Sequence, residues 1–392
     1  MQIVTDEIEE KDVAIQMLAV FIDEVPEVCY DYVEPISKIL LSLTNYAAND
    51  SIRSSSASSL PCLMKAGKSR GVDVATLHAM AKTFNTNLYN AMQEEIDTDT
   101  LIVQVQSFKD IIDEAGEGFM NAEEVQHLGE KSLDLVAKSL ERIASNNAIN
   151  NDEAEDEDDV LDADDMAMIK EENSNEFDLQ IAAAELMGAL FKTHKQFVNG
   201  LVMKLRNEVI PECFASNEQK RFKFALFILD DMVEHLGPTY FTPEDFQSIV
   251  QAICGFCNHN SASLRQASSY GIGVIAQNAG EAFSLYSDLC LQSLKSGVEF
   301  PVTPKIQGKK EKLNMYHHAR DNAIASIGKV IKFQTALVQS NPNYSANLIT
   351  YWLGLLPITH DTEEAIAQFE YLSDFLLSSP EFILGADPSS SA

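Results

Sequence analysis

One stretch of the chain, Ser261–Gly280, limits most strongly what the protein can fold into. It reads SASLRQASSYGIGVIAQNAG, so its larger apolar residues recur three or four positions apart while the residues between them are mostly small. Apolar residues at this spacing share one face of a helix, and small residues on the other faces let further helices approach closely. The stretch therefore predicts a helix that is buried between two neighbouring helices.

The same pattern occurs at two other places in the chain. Without any gap, Arg53 and Arg320 align with Arg265, and the apolar residues that follow each arginine also align. Eight helices of this small-residue type are predicted to begin near Asp12, Asp50, Asp99, Asp178, Lys220, Ser263, His318 and Glu363. Most of their intervals are close to the period of about 40–47 residues that is typical of HEAT and armadillo repeats.

Longer amphipathic helices lie between the small-residue helices, and no segment alternates with the period of two that indicates a strand. Two helices in each interval, rather than three, favour HEAT repeats. We therefore predict an all-α fold, a HEAT-repeat solenoid in which antiparallel helix pairs form a superhelical stack. The predicted partner helices cover residues 26–44, 73–95, 121–147, 195–214, 243–258, 281–297 and 343–356.

Three segments do not fit the repeat pattern. HEAT repeats are predicted over 1–146 and 176–385, and an acidic disordered loop over 147–175 separates them. An irregular basic loop is predicted over 298–313, and a disordered tail over 386–392. In the acidic loop, ten of the fourteen residues from Asp152 to Asp165 are acidic, so the segment repels itself and buries nothing. It acts either as a solvating spacer or as a landing surface for basic partners.

The overall charge restricts the class of partner. The net charge is −32, whereas binding to nucleic acid or to an anionic membrane requires a basic face. We therefore expect no direct contact with either, and a basic protein or peptide is the natural complement. No apolar run reaches the roughly 18 residues of a membrane-spanning helix, and the first residues lack the pattern of a secretory signal, so an intracellular protein is expected.

Motifs that could carry chemistry have a simpler structural explanation. Cys254, Cys257 and His259 resemble half of a zinc or redox site, but no second ligand pair follows at a suitable spacing. The glycines of Gly271-Ile272-Gly273 are interpreted as points of close helix packing rather than a phosphate loop, because no strand precedes them. The histidines form no HExxH motif. We therefore predict no enzyme activity, no cofactor and no metal, and we expect the six cysteines to be reduced.

Several strings, in their order and separation, resemble the importin-beta superfamily (karyopherin beta), and most closely the C-terminal portion of its importin beta-3 branch. Each string alone is ordinary helix sequence. The likeness also extends more loosely to the first half of the chain, including the acidic interruption. The strings are Leu229–His235, Arg265–Gln277, Asn322–Phe333, and Trp352-Leu353 with Leu356-Pro357, Asp361 and Glu363–Ala365, with the looser likeness at Asp12–Met17 and Asp50–Leu63.

This resemblance implies a function in nuclear import. Members of the superfamily are HEAT solenoids that carry cargo proteins with basic or lysine-containing import signals through the nuclear pore. They shuttle between cytoplasm and nucleus, bind nucleoporins with phenylalanine-glycine repeats and release cargo on binding Ran-GTP. Their main Ran-GTP contacts are in N-terminal repeats, which by this resemblance lie outside this chain. The alternative is a HEAT-repeat scaffold subunit that assembles an enzyme complex such as a protein phosphatase.

Two sets of residues are proposed on this basis. Arg53, Arg265 and Arg320 are predicted to form a structural ladder, each near the start of its helix and each bonded to carboxylates or carbonyls of an adjacent repeat. The second set is a hypothetical partner-binding strip on the small-residue helices, which line the inner surface of HEAT arrays. Of its two adjacent aspartates, one could instead cap or bridge a neighbouring repeat. The strip comprises Asp230, Asp231, Glu234, Glu363 and Glu364.

Overall fold

The computed structural model describes residues 3–152, 163–339 and 342–378, and within these ranges there are helices and connections but no strands. No helix in this part of the chain is both long enough and apolar enough to cross a membrane. The α-helices are α1 (Ile3–Glu24), α2 (Pro26–Cys29), α3 (Val33–Leu43), α4 (Asp50–Ser69), α5 (Val74–Glu94), α6 (Thr98–Ala115), α7 (Ala122–Asp152), α8 (Ala163–Thr193), α9 (Asn199–Lys204), α10 (Ile210–Ala215), α11 (Gln219–Leu236), α12 (Pro243–Cys254), α13 (Ala262–Asn278), α14 (Ser287–Val298), α15 (Pro304–Gln307), α16 (Lys310–Phe333), α17 (Thr335–Gln339), α18 (Pro342–Leu355) and α19 (Thr362–Ser378).

The chain divides into two compact units, Met1–Glu208 and Val209–Ala392. In the first unit, α1, α4, α6 and α8 form a central row in which each helix contacts the next. Helices α3, α5 and α7 pack beside α4, α6 and α8, respectively. Short connections between α3 and α4 and between α5 and α6 make the members of these pairs antiparallel, as in HEAT repeats.

The second unit repeats this arrangement. Its central row is α11, α13, α16 and α19, and α10, α12, α14 and α18 pack alongside. The two central rows together contain all eight of the predicted small-residue helices. The predicted fold class, an all-α array of HEAT-type helix pairs, is therefore confirmed.

Small residues determine how closely the central helices approach. A Cβ atom placed on Gly273 of α13 would lie 2.6 Å from the Ser326 hydroxyl of α16. The Ser326 side chain in turn donates a hydrogen bond of 2.6 Å to the carbonyl of Ser269. Because a larger residue at either position would separate the helices, the Gly271-Ile272-Gly273 string is a packing motif, as predicted.

Residues with short polar side chains begin several helices. The side chains of Asn49, Asp73, Asp97 and Thr242 each accept a hydrogen bond from the backbone N–H three residues later. These contacts satisfy N–H groups that have no partner within the helix. At the other ends, glycines in the left-handed region, such as Gly116 and Gly237, terminate α6 and α11.

The structure differs from the sequence prediction around the acidic segment. Helix α7 continues to Asp152 and α8 begins at Ala163, so both ends of the predicted loop 147–175 are helical. Arg142 pairs with Glu176, and the Asn146 amide donates to the Asn173 side chain at 3.1 Å. These contacts hold the two helices together where the charge pattern alone predicted disorder. The remainder, 153–162, lies outside the described residues.

The basic loop 298–313 is also more regular than predicted. It contains α15, and α16 already begins at Lys310. The Tyr316 hydroxyl of α16 donates a 2.8 Å hydrogen bond to the Phe300 carbonyl, which fixes the start of the segment to the helix that follows it. The predicted tail, 386–392, lies outside the described residues.

Candidate partner-binding surface

A chain of polar side chains crosses the central row of the second unit. The Tyr270 hydroxyl of α13 donates to Glu234 of α11 at 3.4 Å, and the ammonium group of Lys329 lies 5.1 Å from the centre of the Tyr270 ring. Lys329, on α16, is also paired with Glu364 of α19, with 2.5 Å between the charged atoms. Each of the four central-row helices of the second unit therefore contributes one residue to this set of contacts. We call the set, Glu234, Tyr270, Lys329 and Glu364, the central polar chain.

The predicted strip of five carboxylates is only partly exposed. Glu234 and Glu363 are exposed and Asp231 is half-buried, whereas Asp230 and Glu364 are buried. Glu364 is a structural residue because its charge is already paired with Lys329. The prediction that it contacts a partner is therefore wrong for this structure. Glu363, which precedes it, is rotated by about 100° around the helix and faces solvent.

The prediction that Asp230 contacts a partner also needs correction, because its side chain is buried. Its side chain is directed at the backbone of Gly271 on α13, and its Oδ1 atom has no hydrogen-bond partner among the described residues. Burial, and then the neighbouring carboxylates of Asp231 and Glu234, raise the pKa of Asp230 well above its usual value. Because a buried ionised carboxylate without a cation is costly, Asp230 is held as a neutral group in the helix interface.

We expect Asp230→Asn to stabilise the protein at neutral pH by about 1–3 kcal/mol, because the amide cannot ionise. The Asp230 carboxyl ionises near its usual pKa of 3.8 in the unfolded chain but at higher pH in the folded chain. Its contribution to stability is therefore complete below about pH 4 and is lost as pH rises further. Thermal unfolding between pH 4 and pH 7 should show the largest gain for the variant at pH 7. Glu363→Gln, at an exposed position, is the control and should show no such trend.

Asp231, Glu234 and His235 form the group of described residues whose donor atoms lie close enough for one metal ion, within 4.8 Å of one another. All three are on α11, and Glu234 also accepts the hydrogen bond from Tyr270. Carboxylates on acidic helix surfaces often cluster in this way without a metal. We therefore assign no metal to this group.

The three ladder arginines occupy different environments. Arg53 forms a two-pronged ion pair with Glu95, with Nε 2.7 Å from Oε2. Arg265 is buried, donates to the carbonyls of His259 and Asn260, and lies with its guanidinium 3.8 Å from the centre of the Phe300 ring.

Arg320 departs further from the prediction. It is in the third turn of α16 rather than at the helix start, because α16 extends back to Lys310. It makes no hydrogen bond or ion pair with any described residue. The prediction of one shared role is therefore wrong for Arg320. Residues at equivalent positions of the repeat sequence therefore do not all have equivalent neighbours in the structure.

Sequence reasoning missed two members of the central polar chain. Tyr270 and Lys329 each stand among small or apolar residues, and no spacing links either of them to an acidic residue in another repeat. Their roles arise from partners on other helices, since Glu234 is 36 residues before Tyr270 and Glu364 is 35 residues after Lys329. The sequence therefore contained no local signal for them.

The half-motif Cys254, Cys257 and His259 does not form a metal site. The Cys257 thiol contacts the Ser268 hydroxyl at 3.1 Å, and His259 Nδ1 accepts a hydrogen bond from the Ser261 N–H at 3.0 Å. The Cys254 sulfur instead lies 3.8 Å from that of Cys290. The three side chains therefore have separate partners, and all six cysteines are free thiols.

A cavity of about 240 Å³ lies between α5 and α7 in the first unit. Its walls are mostly apolar and include Tyr89, Phe108, Phe119 and Leu128. An ion pair between Lys82 and Glu124, 3.6 Å long, connects the two helices beside it. The apolar walls of this cavity are suited to bind an apolar side chain of a partner protein.

Comparison with known proteins finds relatives among the importins. No family model matches the chain. The chain is 23% identical over 365 residues to a probable importin-5 homolog of Dictyostelium discoideum, an alignment that covers 91% of this chain and 32% of the relative. It is 27% identical over 210 residues to importin subunit beta-3 of Saccharomyces cerevisiae, covering 53% of this chain and 18% of that protein.

Solved structures show the same fold. The karyopherin Kap121p bound to the SUMO protease Ulp1p is similar with a TM-score of 0.66 and 20% identity, over 98% of this chain and 32% of that one. Kap121p bound to RanGTP has a TM-score of 0.69 and 18% identity, over 99% of this chain and 33% of that one. The chain thus spans about a third of the length of these proteins. The resemblance to the importin-beta superfamily is confirmed.

Proposed function

We propose that this chain, which is related to the importin-beta superfamily over most of its length, is the C-terminal part of a nuclear import receptor that binds cargo proteins. The alignment with an importin-5 homolog over 91% of the chain is the observation that carries the proposal. In this proposal the chain acts by protein–protein contact and performs no chemistry. The intact receptor shuttles between cytoplasm and nucleus through the nuclear pore under the control of Ran-GTP, whose main site is outside this chain.

The charge supports a basic cargo. With a net charge of −32, the chain attracts lysine-rich segments over a distance of about one Debye length, roughly 8 Å at physiological salt. Glu234 and Glu363 are the exposed carboxylates of the predicted strip, and each belongs to a central-row helix. We propose these two residues, with the half-buried Asp231, as contacts for the basic or lysine-containing import signal of a cargo protein.

The apolar cavity between α5 and α7 supports a second type of partner. A phenylalanine side chain could insert among Tyr89, Phe108 and Phe119, where it would bury apolar surface without requiring a charge. We propose nucleoporins with phenylalanine-glycine repeats as ligands of this cavity. Binding of this kind depends little on salt, in contrast to binding of a basic import signal.

We expect the double variant Glu234→Lys, Glu363→Lys to weaken binding of a lysine-rich import-signal peptide about 3- to 10-fold at low salt, because two attractive charges become repulsive. The measurement is fluorescence anisotropy over a salt series, in which the difference from the unchanged chain should shrink as salt screens the charges.

A matched control makes the same change of net charge away from the central row. The variant Glu212→Lys, Glu281→Lys, at two exposed positions, should weaken binding less than the test pair. Equal losses for the two variants would mean that only net charge matters and would remove the strip from the proposal.

A peptide with phenylalanine-glycine repeats should bind all three proteins equally. Capture of cargo from extract with and without Ran-GTP tests the role in transport.

A further inference from the structure

The two cysteines that meet in space are not the two that form a motif in the sequence. Cys254 ends α12 and Cys290 is in the first turns of α14, and their sulfur atoms are 3.8 Å apart. Both side chains are buried, and neither is in a disulfide. Helices α12 and α14 belong to successive helix pairs of the second unit and contact each other directly. A bond between these sulfurs would therefore join two repeats.

We propose that Cys254 and Cys290 are a modification site at which a peroxide oxidant forms an intramolecular disulfide that fastens α12 to α14. A disulfide bond is about 2.05 Å long, so the sulfurs must approach by somewhat less than 2 Å. Rotation of the two side chains supplies much of this movement, because the sulfurs already face each other. The pair is buried, so the oxidant reaches it during local opening of the helices.

The two thiols have different roles in the reaction, because their surroundings shift their pKa values in opposite directions. A hydrogen bond joins the two thiols, and this bond, against the effect of burial, lowers the pKa of Cys254. The same bond, together with burial, raises the pKa of Cys290. Cys254 is therefore the thiol that ionises first, and the thiolate is the nucleophile in oxidation.

The steps balance with hydrogen peroxide as the oxidant. The Cys254 thiolate attacks one peroxide oxygen, the O–O bond breaks, and the products are a sulfenic acid on Cys254 and hydroxide. The hydroxide takes the proton from Cys290, whose sulfur then attacks the Cys254 sulfur. The S–O bond breaks as the S–S bond forms, and the released hydroxide is protonated by solvent. Two thiols lose two electrons, and one peroxide is reduced to two molecules of water.

Cys257, three residues after Cys254, is the matched control within the structure. It is also buried, but its sulfur contacts the Ser268 hydroxyl at 3.1 Å. Burial raises the pKa of Cys257 to about 12, so almost no thiolate is present at neutral pH. A Cys-x-x-Cys motif acting by itself would use Cys254 and Cys257. The observed geometry instead selects Cys254 and Cys290.

The test treats the folded full chain with hydrogen peroxide, blocks the remaining thiols after denaturation and maps the peptides by mass spectrometry. The unchanged chain should lose two of its six free thiols, recover them with dithiothreitol, and give one cross-linked peptide that joins Cys254 to Cys290. Cys257→Ser should behave in the same way. Cys290→Ser should give no cross-linked peptide at Cys254.

The peptide map of the unchanged chain decides the proposal even if a variant fails to fold. A cross-link between Cys254 and Cys257, or between other cysteines only, would overturn it. Retention of all six thiols in the folded chain, under conditions that oxidise the denatured chain, would also overturn it.

Discussion

Replacement of Arg53 by alanine is expected to lower the free energy of unfolding by about 3 kcal/mol or more. The Arg53 guanidinium is paired with the Glu95 carboxylate through two hydrogen bonds of 2.7 and 2.9 Å, and the Glu95 side chain is only 2% exposed. Removal of the arginine leaves a carboxylate that is buried and no longer neutralised, and such a loss typically costs about 3–5 kcal/mol. Urea unfolding followed by circular dichroism measures the change.

A surface ion pair provides the control for this prediction. Lys38 and Glu34 are 2.7 Å apart but largely exposed, so Lys38→Ala should cost much less stability than Arg53→Ala. The double variant Arg53→Met, Glu95→Gln should recover much of the stability lost by Arg53→Ala, because no buried charge then remains. A cost below about 1 kcal/mol for Arg53→Ala would show that hydrogen bonds from Gln104 and the backbone are sufficient for Glu95.

Gly271→Ala is expected to destabilise the second unit by about 2–3 kcal/mol, since the helices already touch where the methyl group would lie. The added Cβ would be 2.8 Å from the Ile253 Cγ2 atom and still closer to the Asp230 carboxylate. Asp230 is fully buried between α11 and α13, so it has little room in which to move. Relief requires the separation of these two helices. Thermal unfolding should register a clear fall in Tm.

Gly354→Ala is the matched control, because this glycine is also helical but has no atom within 4 Å of the position of a Cβ. It should stabilise the protein by about 0.5–1 kcal/mol through the lower entropy of the unfolded chain. In a double-mutant cycle, Asp230→Ala should reduce the cost of Gly271→Ala, because it creates space for the methyl group. If Gly271→Ala were as stable as the unchanged chain, close packing at this position would be disproved.

The partner-binding proposal and the Gly271→Ala prediction both concern the central row of the second unit. The central row uses one face for helix packing, through Gly271 and Gly273, and leaves carboxylates such as Glu234 exposed on another. A substitution that separates α11 from α13 would therefore also displace the central polar chain. For this reason, the binding variants change exposed residues only, and their folding is checked separately.

The sequence by itself determined the repeated helix pairs, because their causes are local. Apolar residues at helical spacing define each buried face, small residues in α13 and α16 permit close approach, and side chains such as Asn49 and Asp97 begin the helices that follow them. Each of these signals acts within a few residues along the chain. They could therefore be read without knowledge of any other repeat.

Only the tertiary structure decided which polar side chains are accessible to a partner and which are buried in helix interfaces. Asp230 and Asp231, like Glu363 and Glu364, are adjacent in sequence, but a rotation of about 100° per residue puts one of each pair in an interface. Cys254 contacts Cys290 rather than Cys257 because Cys290, 36 residues later, is on a helix of the next repeat that packs against α12. The partners that decide these roles come from other repeats, and no local pattern specifies which residues of two stacked helices will meet.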